Sequence, residues 1–233
     1  MIVCTVQWQK TTRRGLFPLS DLITLRDPRS PAAEAYRALR TSIQFAGVDA
    51  PIHTLLVTAC AGEDGKSLAI ANLAVTLAQG GQSTILADAD LRRPAQHTLW
   101  KQGNEKGMTT MILDGEALRE PPLKPVGVEN LALLTSGIIP PNPADLFGSK
   151  RIDEVIAALK GRANLVVFDA PPVLAVTDTA LLATKVDAVL LVIRAGVTRR
   201  DHARRAREML EGLKVRVIGA ALTNAPREAG VTY

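Results

Sequence analysis

The stretch VTACAGEDGKSLAIANLA, residues 57–74, runs through Gly65-Lys66-Ser67 straight into an apolar helix pattern. A phosphate-binding loop has the form G-x-x-x-x-G-K-[ST], with a strand before it and a helix after it. Here Cys60 stands where that pattern has its first glycine. The run HTLLVTA (53–59) reads as the strand, and residues 66–79 as the helix, with Ile70, Leu73, Ala74 and Leu77 on one face. Gly80-Gly81 stops it. Backbone N–H groups of the loop and first helical turn (Gly62, Glu63, Asp64, Gly65, Lys66, Ser67 and Leu68) form the candidate phosphate cradle. Lys66 is expected to bridge β- and γ-phosphate oxygens, and the Ser67 hydroxyl to bind Mg²⁺. Gly62 and Gly65 supply the freedom the turn needs, so the pattern tolerates Cys60.

Two more strand ends agree with the loop. STILADAD (83–90) ends in Asp88 and Asp90, and NLVVFDAPP (164–172) carries Asp169. Open α/β sheets place ligands at the carboxyl ends of their strands. Asp88 and Asp90, two apart, point to the same side of an extended chain. Such a pair offers one acid for a magnesium shell and one to take a proton from a nucleophile. Either also suits capping of the next turn. Asp169, fixed at the edge by Pro171-Pro172, is placed to hold a magnesium water across from the loop. Arg92 and Arg93 are ready to pair with those acids or with phosphates. Asn224 closes the run GAALTN (219–224), where its amide suits an adenine edge or a turn equally.

The rest of the chain extends this pattern. Of 233 residues, 47% are hydrophobic but only 3% aromatic, so the core is aliphatic, as in parallel sheets buried on both faces. A strand at 130–136 precedes the Pro-rich bend GIIPPNPADLFGS (137–149) and a helix ending near Leu159. Then come the strand of Asp169, a helix at 178–185, a strand at 188–196, a helix at 199–213 and a strand at 215–224. Alternating strands and helices predict an α/β fold of the P-loop NTPase type: a mostly parallel sheet flanked by helices on both faces, three-layer α/β/α. Residues 1–30 lack periodicity and read as an N-terminal arm; residues 31–233 read as one P-loop domain with a short C-terminal tail. That domain opens with a helix over 31–46, burying Tyr36, Leu39, Ile43 and Ala46.

The 28 basic and 23 acidic residues leave a charge of +5. The one dense basic run, TRRDHARRAR (198–207), reads as a solvated helix face; it lacks the interleaved aromatics that stack on nucleic acid. Cys4 and Cys60 show neither metal spacing nor a disulfide framework, which fits a reducing cytosol. No run of about 18 apolar residues occurs, so no membrane span is expected.

The segments EAYRALRTSI (34–43), GEDGKS (62–67), DADLRRP (88–94), SGIIPPNPADL (136–146) and VVFDAPPV (166–173) are specific in their order. From about residue 31 to Asn224 the chain resembles the bacterial tyrosine kinases, the P-loop autokinases of capsule and exopolysaccharide export. That resemblance implies an ATP- and Mg²⁺-dependent kinase of tyrosines on its own chain and on other proteins. By motif it carries over Lys66 and Ser67 as phosphate and magnesium residues, and Asp88, Asp90 and Asp169 as the site's acids. Asp88 takes the place of the base that activates the tyrosine hydroxyl, although spacing alone does not separate it from Asp90. Glu34, Arg37 and Arg40 match an oligomerisation motif, Glu-x-x-Arg-x-x-Arg, and form a charged stripe opposite Tyr36 and Leu39. The family's rings form through this helix. A membrane-spanning polysaccharide co-polymerase-type activator is the implied partner, recruiting a cytoplasmic chain to the inner face of the plasma membrane.

The resemblance stops at the tail, where the family carries a tyrosine cluster. This chain has two tyrosines, and Tyr36 lies on a buried helix face. Tyr233 is left as the phosphoacceptor candidate, on nine residues that reach about 30 Å when extended. The missing cluster favours an alternative, a regulatory ATPase subunit of the same machinery without kinase activity. A partition or septum-positioning ATPase is the third reading, but its K-G-G-x-G-K-[ST] loop begins with a lysine where this chain has Ala61.

Overall fold

The apolar strands sort their side chains into two cores by parity, because successive residues of a strand face opposite sides of the sheet. The computed structural model describes residues 22–62 and 65–225 in full and residues 2–6 by their backbone. The chain begins with β1 (Ile2–Val6), α1 (Ile23–Arg26), α2 (Pro31–Ala46), β2 (Thr54–Ala59), α3 (Lys66–Gln79) and β3 (Thr84–Asp88). There follow α4 (Gln96–Leu99), α5 (Met108–Leu113), α6 (Glu116–Arg119), β4 (Lys124–Pro125), β5 (Leu131–Leu134) and α7 (Pro143–Gly148). It ends with α8 (Arg151–Lys160), β6 (Leu165–Asp169), α9 (Asp178–Ala183), β7 (Ala188–Arg194), α10 (Arg200–Gly212) and β8 (Val217–Thr223).

The eight strands lie in the order β1-β8-β7-β2-β6-β3-β5-β4. Every pair is parallel except the two-residue β4, which runs antiparallel to β5 at the edge. Leu55, Val57, Leu86, Val167 and Leu190 face one core, shared with Tyr36, Leu39 and Ile43 of α2 and Ile70, Leu73 and Leu77 of α3. Leu56, Ile85, Val166, Phe168 and Val189 face the other, covered by Met111 of α5, Val155 of α8, Leu182 of α9 and Leu210 of α10. The result is the three-layer α/β/α fold expected from the alternating pattern.

Helix α3 is buried almost all round, between the sheet and the pair α1 and α2. One polar side chain inside it is fully satisfied. Asn72 accepts from Thr24 N–H (3.1 Å) and Thr24 Oγ1 (2.9 Å), and donates to the Leu68 carbonyl (2.9 Å). Helix α2 starts at Ser30, whose hydroxyl accepts from Ala33 N–H at 3.2 Å, with Pro31 in the first turn.

Two expectations need correction. The arm read over residues 1–30 contains β1, which pairs with β8, and α1, which packs on α3. Its run IVCTV is long enough for an edge strand but too short for periodicity to register. The charged stripe of α2 is also broken. Glu34 and Arg37 pair at the surface (2.6 Å), but Arg40 Nη1 turns inward and donates to the Thr76 carbonyl of α3 at 3.0 Å. A cation near the last turn of a helix complements the helix dipole. The basic run lies on α10, which buries Ala206 and Leu210 and pairs Arg207 with Glu211 in solvent at 2.7 Å. Among the described residues, no helix is long and apolar enough to cross a membrane.

Candidate active site

Three neighbouring strands, β2, β6 and β3, bring the charges of the site to one edge of the sheet. Asp88 ends β3 and Asp169 ends β6, and the two are paired side by side in register. From β2 the chain passes through the glycine loop to Gly65, whose φ of 66° and ψ of 22° are left-handed. That conformation strains a residue carrying a Cβ, so Gly65 is what turns the chain into α3. Gly62 sits in open space without a positive φ, so it is not required in the same way. Cys60 is fully buried in the second core, among residues that include Leu56 and Ala87. Its side chain packs inward, which is why the first-glycine position accepts it here.

Lys66, at the first position of α3, lies among three carboxylates. Its Nζ pairs with Asp169 Oδ1 and stands 3.6 Å from Asp90 Oδ2. Burial by itself lowers the lysine's pKa; Asp169, Asp90 and Asp88 outweigh it and raise the pKa above the ordinary value. Burial and the charge of Asp169 push Asp88 well above the usual carboxylate range, against the opposing Gln96 N–H and Lys66. Burial also raises Asp90, opposed by Lys66 and the Arg93 N–H. Three acids beside one ammonium gather hard oxygen donors at one point, with Ser67 in the adjacent turn. This donor set fits Mg²⁺, which binds one or two protein oxygens and fills its octahedron with water and phosphate oxygens. Among the described residues, no group of three or more His, Cys, Asp or Glu side chains forms a complete metal cage by itself.

Asp88 and Asp90 also cap the turns that follow them. Asp88 Oδ2 accepts from Ala95 N–H (3.0 Å) and Gln96 N–H (2.9 Å), and Asp90 Oδ1 accepts from Arg93 N–H (3.0 Å). The capping reading and the site reading thus describe the same residues. Arg92, read as a partner for these acids or for phosphate, instead grips Asp178 of α9 with two hydrogen bonds, at 2.7 and 3.0 Å. The reason is that Asp178 is fully buried and draws the nearest cation.

The other expected residues are more scattered. The Leu68 side chain belongs to the first core, which leaves only its backbone for a ligand. Asn224 follows β8, separated from β2 by β7, with a φ of 56° and its amide donating to the Ala195 carbonyl at 3.3 Å. Glu34, Arg37 and Arg40 lie on α2, away from this cluster. Glu63, Asp64 and Tyr233 fall outside the described residues. One residue that the sequence did not single out sits at the centre. Gln96 Nε2 donates to Asp169 Oδ2 (2.7 Å) and to the Ser67 carbonyl (2.9 Å).

Comparison with known proteins places the chain in a family. Residues 55–224 match the family described as the CobQ/CobB/MinD/ParA nucleotide binding domain. The tyrosine-protein kinase YwqD of Bacillus subtilis is 40% identical over 210 residues, covering 90% of this chain and 88% of YwqD. The tyrosine-protein kinase wzc of Salmonella typhi is 33% identical over 96% of this chain, which spans only 32% of wzc. The solved kinase domain of the Escherichia coli tyrosine kinase ETK superposes with a TM-score of 0.87 at 29% identity, over 99% of this chain and 92% of that one. A phosphate loop facing strand-end acids and a match along nearly the whole chain lead to one conclusion: the chain belongs to the CobQ/CobB/MinD/ParA nucleotide-binding family and, within it, to the bacterial tyrosine-protein kinases.

Proposed function

We propose that this tyrosine kinase takes Mg²⁺-ATP and phosphorylates tyrosines of its own chain and of other proteins, regulating capsule or exopolysaccharide export. The observation that carries the reading is Lys66 held between Asp169 and Asp90 at the start of α3, with Asp88 alongside. These carboxylates engage Lys66 as phosphates would. On binding, Lys66 exchanges them for the β- and γ-phosphate oxygens, while N–H groups of residues 62–68 take the remaining phosphate charge. The bound Mg²⁺ supplies charge neutralisation and alignment of the phosphates. Ser67 Oγ, Asp88 and Asp169 would hold the ion. Asp88, with Asp90 as the second candidate, accepts the phenol proton as the new oxygen–phosphorus bond forms and the bond to ADP breaks. Asn224 is the adenine contact in this reading.

The chain spans 32% of the length of wzc. The partner in this reading is a membrane-spanning activator of the co-polymerase type, which would place the kinase at the inner face of the plasma membrane. Self-association through α2 into a ring would offer Tyr233 of one copy to the site of the next. The scarcity of tyrosines favours a second reading, a regulatory ATPase: Tyr36 is 1% exposed and so a poor acceptor. Phosphosite mass spectrometry before and after Mg²⁺-ATP, with Lys66→Ala as control, separates them. Phosphate on Tyr233 that disappears in Lys66→Ala is the expected result. ATP hydrolysis without phosphotyrosine would replace the autokinase with the regulatory ATPase.

A further inference from the structure

Gln96 is fully buried at the first position of α4, and all three of its side-chain hydrogen-bonding hydrogens and acceptors are directed. Its Oε1 accepts from the Trp100 indole N–H at 3.2 Å. An indole nitrogen donates and never accepts, so this contact fixes which way the amide faces. The NH₂ group must then point the other way, and it does: one bond goes to the Ser67 carbonyl (2.9 Å), the other to Asp169 Oδ2 (2.7 Å). The backbone N–H of the same residue donates to Asp88 Oδ2 at 2.9 Å. One residue therefore touches Ser67, Asp88 and Asp169, the three residues placed at the ion in the reading above.

We infer that Gln96 is a positioning residue for the magnesium site. It commits Asp169 Oδ2, so that Oδ1, the oxygen now paired with Lys66, is the one presented to the ion's shell. Its grip on the Ser67 carbonyl anchors the first turn of α3, the turn that carries Ser67. Trp100, 1% exposed, is the rigid wall that keeps the amide from rotating. Residues that orient a metal's ligands in this way change its affinity by about 10- to 100-fold when substituted.

The inference rests on the Mg²⁺-ATP reading, and one experiment tests the two apart. The affinity of a fluorescent ADP analogue is measured with excess Mg²⁺ and with EDTA, for wild type, Gln96→Met and Gln96→Glu. Gln96→Met keeps the shape but removes the NH₂ group; Gln96→Glu puts an oxygen against Asp169. The wild type should bind more tightly with Mg²⁺. In both variants that gain should shrink by about tenfold or more, with affinity in EDTA little changed. A gain that survives in the variants overturns the role of Gln96. So does a parallel loss in both media, because it marks damage to the loop rather than to the ion's ligands. A wild type that shows no gain from Mg²⁺ overturns the metal reading itself. Should Gln96→Glu fail to fold, Gln96→Met decides, with Trp100→Phe expected to show a smaller loss of the same gain.

Discussion

Asp88 carries its charge where a carboxylate is poorly solvated, fully buried and next to Asp169 on the adjoining strand. Its pKa is raised first by burial and then by that neighbour. A base works only when ionised, so raising its pKa extends the protonated, inactive form to higher pH. Activity should therefore fall on acidification from a higher pH than an exposed aspartate would give. Steady-state kcat/KM against pH checks this, and Asp88→Asn should lower kcat by about 10²- to 10⁴-fold and flatten that limb. If Asp90→Asn alone flattens it, Asp90 is the base. At this scale the sequence is legible where chemistry borders an apolar run: Asp88 and Asp169 each end one, and Lys66 opens the apolar helix that follows the loop. Gln96 and Asp178 follow none. Their importance lies in partners 73 and 86 residues away, Asp169 and Arg92, and a neutral amide carries no signal of its own.

Helix α3 connects the candidate phosphate end of the molecule to α2, the helix proposed for assembly. Lys66 is at its start, and Arg40 of α2 binds the Thr76 carbonyl near its end. Gly80 makes room for that arginine, since a Cβ there would stand 2.9 Å from Arg40 Nη1. Arg40 should thus act first within one chain. Arg40→Ala is expected to destabilise the monomer by about 1.5–3 kcal/mol, a net loss typical of a hydrogen bond to a charged group. For a chain of this size each kcal/mol lowers the melting midpoint by about 2–4 °C. Glu34→Ala, which removes only a surface pair, should change stability by less than about 1 kcal/mol. Thermal melts at a dilution where light scattering shows monomer make the comparison. An Arg40→Ala protein that melts like wild type yet fails to self-associate would assign Arg40 to the subunit contact instead. The sequence shows α2 and α3 nearly to the residue, because each is long and closed by a Pro or Gly signal. Short elements such as α1, α4 and β4 complete no period, and their positions are set by packing rather than by pattern.

Across the whole molecule, what creates the site is strand order. Alternation along the chain reveals a parallel sheet, but not that β6 inserts between β2 and β3. That insertion sets Asp169 beside Asp88 and both beside the loop that leaves β2, so several strongly coupled charges share one buried edge. Stability of the fold and binding at the site are therefore linked. Asp88 and Asp90 have folded pKa values above their ordinary ones. A raised carboxylate contributes stability that is complete below its unfolded pKa and is lost as pH rises through the folded one. The ligand-free protein should accordingly weaken with rising pH over that interval. Mg²⁺-ADP gives the ionised acids a cation and Lys66 a phosphate, so binding should offset more of that loss the higher the pH. At ligand concentrations near 100 times Kd, binding adds about 2.7 kcal/mol. For a chain of this size that corresponds to a midpoint shift of about 5–10 °C. Calorimetric scans across this pH range, with and without Mg²⁺-ADP, should show the shift growing with pH and nearly vanishing in Lys66→Ala. A shift that stays constant or shrinks as pH rises would mean that Asp88 and Asp90 are already ionised in the ligand-free fold, and that the charge surplus is neutralised by something other than the bound nucleotide and its ion.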